Sequence, residues 1–218
     1  MIVNRIVELQ AENVIFNIAS SERNADFIEE LVEDTKPDLN FEDYHFLIAT
    51  AFRYPPPVPP EYAARFKPAF YPRNCLYASL EVRTSVYEFF YHWLLTWSHI
   101  KGLDTKVESR THFQFEFNDK SLVDIRNHKD IDKLMDRHNY EPSQDFVRTL
   151  DKFDSILYPS CRDPEEGDNV ATFNIKTLGK KILSEQTLQF HYVEEEMKCV
   201  VRLPVAGDVY TVRWQDVC

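Results

Sequence analysis

Glycine is scarce in this chain, four residues in 218, and neither G-x-G-x-x-G nor G-x-x-x-x-G-K-[ST] occurs. Nucleotide binding by those two glycine-rich devices is therefore excluded. Cysteine is also sparse and scattered: Cys75, Cys161, Cys199 and Cys218 form no C-x-x-C pair and have no nearby histidine at zinc spacing. Neither a disulfide framework nor a structural metal is indicated, and reduced thiols packed as small apolar groups are expected. Long apolar runs are missing too. None approaches the roughly 18 to 20 residues that cross a bilayer, and MIVNRIVELQAEN lacks a signal peptide's basic region and cleavage site. A cytoplasmic protein without membrane contact is the expectation. Basic residues are outnumbered 25 to 36, a formal charge of −11, which argues against non-specific nucleic-acid binding because phosphates are neutralised by Lys and Arg. A basic protein partner fits better, although an acidic balance most often only keeps a protein soluble.

What is present is the material of one packed domain. The chain is 44% apolar and 14% aromatic, and its length suits one sizeable core rather than two. Residues 1–42 read as an N-terminal helical extension. Ile2, Val3, Ile6, Val7, Leu9, Val14, Ile15 and Ile18 recur at roughly helical spacing, and Ser20 or Ser21 could cap a second helix through Val32, closed by Pro37. This pair either packs on the domain or lends an apolar stripe to another chain, including a second copy as a homodimer.

Residues 43–218 form the main domain. Residues 46–54, FLIATAFRY, read as a buried strand delivering Arg53, and a short strand over 75–79 should carry Tyr77. Ser85 and Glu88 stand in the S-x-x-E relation of a capping box at a helix start, and Val86, Phe89, Phe90, Trp93, Leu94 and Trp97 supply its apolar face. Glu88 then shares the other face with Tyr91, His92 and Leu95, which could line a cleft. Strands are expected over 111–117, 121–125, 155–160, 169–174, 187–193, 197–205 and 209–214, with a helix over 140–150 and a polar loop or frayed helix at 127–138. His128 and His138 are read as surface histidines, since nothing places a third metal ligand beside them. A Gly207-Asp208 turn predicts a terminal hairpin. The expected fold is α+β, with a central, largely antiparallel sheet flanked by helices.

Residues 52–88 concentrate the chemistry. The prolines Pro55, Pro56, Pro57, Pro59 and Pro60 stiffen the path from Arg53 and Tyr54 to Arg65. The FRYPP run with Arg53, the ARF triplet with Arg65, the LYAS run with Tyr77, and Glu88 eleven positions later resemble the RES domain, a bacterial family named for an arginine, a glutamate and a serine. YEPSQ at 140–144, ILYPSCRDP at 156–164 and NVATFN at 169–174 resemble its C-terminal half and supply Ser160. The resemblance covers roughly residues 43–205. Glu81, the competing acid, fits the connection before the helix. Lys67 stands where the family commonly has glycine after the RF pair, and Ala63 and Ala64 replace a common Gly-Ser, which leaves the phosphate contacts open.

The resemblance implies a fold similar to the ADP-ribosyltransferases and a toxin that consumes NAD as substrate, cleaving the nicotinamide–ribose bond by phosphorolysis or hydrolysis, with phosphate as a co-substrate and no metal. Glu88 takes the position of the family glutamate, where a carboxylate stabilises an oxocarbenium-like state; read locally, it remains a capping residue. Arg53 and Arg65 match phosphate oxygens with planar forks, and Tyr54 or Tyr77 offers a face to the cationic ring. Ser160, accompanied by Arg162, would orient a phosphate or ribose hydroxyl; its local reading is a turn hydroxyl after proline. The implied partner is an Xre-type antitoxin with a helix-turn-helix domain. Two alternatives stay open: protein ADP-ribosylation by the same site, and a non-toxic RES-like binding protein.

Overall fold

The computed structural model describes residues 1–8, 24, 27, 28, 30, 31, 34–38, 41–54, 56, 57, 59–97, 99, 100, 102 and 107–218. Among them nine strands build one sheet: β1 Ile2–Glu8, β2 Leu76–Ser79, β3 Val107–Phe117, β4 Leu122–Asp124, β5 Ser155–Pro159, β6 Asp168–Thr172, β7 Leu178–Val193, β8 Lys198–Leu203 and β9 Asp208–Arg213. Their order is β4-β5-β6-β2-β1-β3-β7-β8-β9, and only β4 and β5 run parallel. The helices are α1 Phe46–Ala49, α2 Val82–Trp97, α3 Ile131–Leu134, α4 Glu141–Thr149 and α5 Trp214–Val217. This is the α+β architecture expected, and the terminal hairpin closes through Gly207 at φ 77°.

Three apolar clusters fix the layers. Val86, Phe90, Trp93 and Leu94 of α2 pack on Ile6 of β1, Leu188 and Phe190 of β7, and Val201 and Val212 of the terminal hairpin. Each fully buried side chain of this size contributes about 1.5–3 kcal/mol. Together they fix the rotation of α2 and leave the neighbouring stripe, Ser85, Glu88 and His92 at three- and four-residue spacing, to face elsewhere, with Phe89 at the border between the two. A second cluster joins Val3, Leu47, Ile48, Phe113, Phe115 and Leu178. The third gathers Phe66, Leu134, Val147, Phe153, Ile156 and Phe173 under α3 and α4.

The centre of the sheet is its thinnest point. β1 registers with β3 at every position from Ile2 to Glu8, but with β2 at one pair only, Asn4 opposite Ser79. The Asn4 side-chain amide reinforces that junction, donating to the backbone oxygens of Ser79 and Leu80 at 3.3 and 2.9 Å. Past it the two strands splay, and a wedge opens between them.

Two local expectations are corrected here. Residues 2–8 form a central strand rather than the start of a helix: the β-branched Ile2, Val3, Ile6 and Val7 suit a strand, and β3 supplies a full ladder. The remainder of that helix, 9–18, and the caps Ser20 and Ser21 lie outside the described residues, whereas positions 24, 27, 28, 30, 31 and 34 are helical. Residues 46–52 are α1 followed by a 3-10 turn, Thr50–Phe52, and not a strand. His45 caps α1 by accepting the Leu47 amide, and Leu47, Ile48, Ala49 and Phe52 are buried. Short apolar runs satisfy either periodicity, and the cap decides between them. The proline run ends in another 3-10 turn, Pro60–Tyr62.

Candidate active site

The wedge leads into a cavity of about 280 Å³. Its walls are Asn4, Arg5 and Ile6 of β1, Tyr77, Ala78 and Ser79 of β2, and Ser85, Glu88, Phe89 and His92 of α2. Ala64, Arg65, Cys75, Tyr140, Tyr158, Cys161, Arg162 and Asn169 complete it. The volume is near the lower end of the about 300–1,000 Å³ typical of small-molecule sites. It suits a ring with its sugar better than a whole dinucleotide.

Glu88, half-buried on α2, is held at one oxygen. Its Oε1 accepts the Ser160 hydroxyl at 2.6 Å and the Asn169 side-chain amide at 2.7 Å. The Ser160 oxygen in turn accepts the backbone amides of Arg162 and Asp163 at 3.1 and 3.0 Å, so its proton has one direction left to go. Asn169 is fixed through its Oδ1, which accepts the Ser79 hydroxyl at 2.6 Å. Three separate chain segments thus orient one carboxylate, and among the described residues Oε2 takes no hydrogen bond and is left for a ligand. The capping-box reading of Glu88 is corrected: α2 begins at Val82, placing Glu88 in the second turn, while Ser85 donates back to the Val82 oxygen at 2.6 Å.

A buried staple sets the loop that carries Ser160. Asp163 Oδ2 accepts Thr84 Oγ1 at 2.7 Å and ion-pairs with Arg83 at 3.0 Å, both on the first turn of α2. Its Oδ1 accepts the Glu165 amide. The Ser160 amide donates to the Gly167 oxygen at 2.7 Å. Gly167 is required by this packing, since a Cβ there would collide with Thr84 Oγ1.

The aromatic and thiol groups are electrically quiet. Tyr77 accepts the Phe66 amide at 3.0 Å, and burial, foremost, raises its phenol well above the ordinary value. Tyr158 is raised likewise by burial and then by Glu88. Both rings stay neutral at physiological pH and offer faces rather than bases. Burial pushes Cys75 up to about 12 and also raises Cys161, despite Arg65 beside it. Neither thiol is a ready nucleophile.

The structure brings together Arg65, Tyr77, Glu88, Ser160 and Arg162 of the expected site residues, and does not bring Arg53 or Tyr54. Because 46–52 is helical, Arg53 follows a 3-10 turn, and its Nε donates to the Pro37 oxygen at 2.5 Å. Tyr54 is exposed, its backbone oxygen held by Asn74 at 2.6 Å. Arg162 is structural in its contacts: its two terminal nitrogens donate to Val217 and Arg137 oxygens at 2.5 Å each, and its plane lies over Tyr91. Arg65 donates to the Leu134 oxygen and stacks on Tyr140. Sequence reasoning missed Asn169, Asp163 and Arg5. Asn169 and Asp163 sit in motifs that were read for other residues. Arg5 carried a signal of its own, a charge set among β-branched neighbours.

No curated protein matches the chain. Residues 39–192 match the RES domain, a span that contains Arg65, Tyr77, Glu88, Ser160 and Asn169, and the chain belongs to the RES domain family.

Proposed function

We propose that this protein cleaves NAD at the bond between nicotinamide and ribose, passing the ADP-ribosyl group to phosphate or to water, and that it acts as the toxin of a toxin–antitoxin pair. The RES domain is an NAD-related enzymatic domain. The observation that carries the reading is the Glu88 carboxylate, fastened at Oε1 by Ser160 and Asn169 with Oε2 left to the cavity. As the C1′–N bond breaks, its electron pair leaves on the nicotinamide nitrogen, and positive charge grows on the sugar. A pre-oriented carboxylate that accepts a ribose hydroxyl stabilises that state more than the ground state. The neutral faces of Tyr77 and Tyr158 suit the cationic ring before it departs. The sugar cation is then captured by a phosphate oxygen or by water, with the water proton released to solvent.

Purified protein is incubated with NAD, with and without phosphate, and the products identified. Free nicotinamide with ADP-ribose 1″-phosphate, or with ADP-ribose, is the expected outcome; intact NAD refutes the reading. The cellular role has its own arm. Expression alone should deplete NAD and arrest growth, and an Xre-type antitoxin encoded beside the chain should prevent both.

A further inference from the structure

The cavity wall formed by β1 lies outside the residues that match the family, and it carries a charge without a counterpart. Arg5 lines the cavity, and its Nη1 is shut away from solvent without a hydrogen-bond partner. The two other guanidiniums in the wall are committed to backbone oxygens and aromatic faces. Glu88 is the one carboxylate among the lining residues, and it faces Ser160 and Asn169. The cavity therefore holds three arginines against one acid, in a protein whose formal charge is −11. Arg5 as a whole is half-buried, but a guanidinium nitrogen shut off from water without a partner is costly unless an acceptor completes it. Burial also lowers the Arg5 pKa to about 10, which still leaves the group cationic at neutral pH.

We propose that Arg5 is the anion-binding residue of this cavity and takes a phosphoryl group, forming paired hydrogen bonds with its oxygens. The planar fork of arginine matches phosphate geometry, and Arg5 has the uncommitted donors. Resting on the NAD reading above, this assigns the phosphate contact to β1 in place of Arg53, which lies outside the cavity. The phosphoryl group comes either from the dinucleotide or from inorganic phosphate, and the two are separable.

Calorimetric titration of the full chain with inorganic phosphate, with ADP-ribose and with nicotinamide riboside, repeated on Arg5→Gln, tests the assignment. Arg5→Gln should weaken at least one phosphorylated ligand about tenfold or more and leave the riboside unchanged. Loss confined to inorganic phosphate marks a co-substrate site; loss confined to ADP-ribose marks the pyrophosphate. Equal affinities of wild type and variant for both phosphorylated ligands overturn the proposal. Thermal melts separate a folding defect from a binding one. Without ligand, Arg5→Met should melt no lower than wild type, because it removes an unpaired charge, and it should lose the stabilisation that phosphate gives wild type. A lower melting temperature with phosphate stabilisation intact also overturns it. Phosphate binding that depends on Arg5 in a protein that leaves NAD intact would sink the NAD reading and leave this site standing.

Discussion

At the scale of single residues, Glu88 and His112 show how polar groups are used differently inside one fold. Glu88→Gln keeps an amide oxygen for Ser160 and Asn169 but removes the charge, so the fold should persist while NAD turnover falls by about 10²-fold or more. Turnover within a fewfold of wild type would reduce Glu88 to a structural residue. His112, 1% exposed, contacts Asn4 through Nε2 at 3.1 Å and Gln186 through Nδ1 at 3.1 Å. Burial depresses its pKa to about 4 from an ordinary 6.5. Between those values the unfolded chain binds the additional proton, so stability is present above pH 6.5 and is lost as pH falls toward 4, by on the order of 3 kcal/mol at the limit. Urea unfolding of wild type and His112→Gln at pH 7 and pH 4.5 checks this: the variant should lose less on acidification. Tyr77, Glu88 and Ser160 were legible because short motifs carry them at fixed spacing. Arg53 lies outside the cavity because 46–52 is helical, and the apolar run alone does not separate strand from helix; the His45 cap just before it does.

At the scale of elements, the site depends on how the segment 160–167 is bound to the first turn of α2. Asp163 bridges Thr84 and Arg83, and Gly167 lets the loop approach Thr84. Gly167→Ala forces the loop away from α2 and, through the Gly167 oxygen, displaces Ser160. The expected result is about 1–3 kcal/mol of lost stability with turnover reduced about tenfold, read from urea unfolding and an NAD assay; wild-type values for both would show that the loop absorbs the added methyl. The terminal strands and α2 were readable from alternation and from the helical recurrence of Phe90, Trp93 and Leu94. β1 was not, because a seven-residue strand rich in isoleucine and valine, followed by more apolar residues, also satisfies a helical count. Its partner β3 lies a hundred residues away, and that pairing has no local signature.

At the scale of the whole molecule, the sheet is two ladders that meet at Asn4 and Ser79. Asn4→Ala removes four side-chain hydrogen bonds, to Ser79, Leu80, His112 and Gln114, and leaves buried partners unsatisfied. A loss of about 2–4 kcal/mol is expected, measured by denaturant unfolding. A loss below about 0.5 kcal/mol would mean that the junction is carried by other contacts.

That one-rung junction also acts as a pin between the two walls of the cleft, set at the residue next to Arg5. A ligand seated between β1 and β2 touches both walls and acts as a second pin. Where loosening the first pin lets the walls part, the ligand must supply the free energy that brings them back, and its affinity falls by that amount. Substitutions at Asn4, whose amide is already committed to the neighbouring strands, should therefore weaken the ligand as well as the fold.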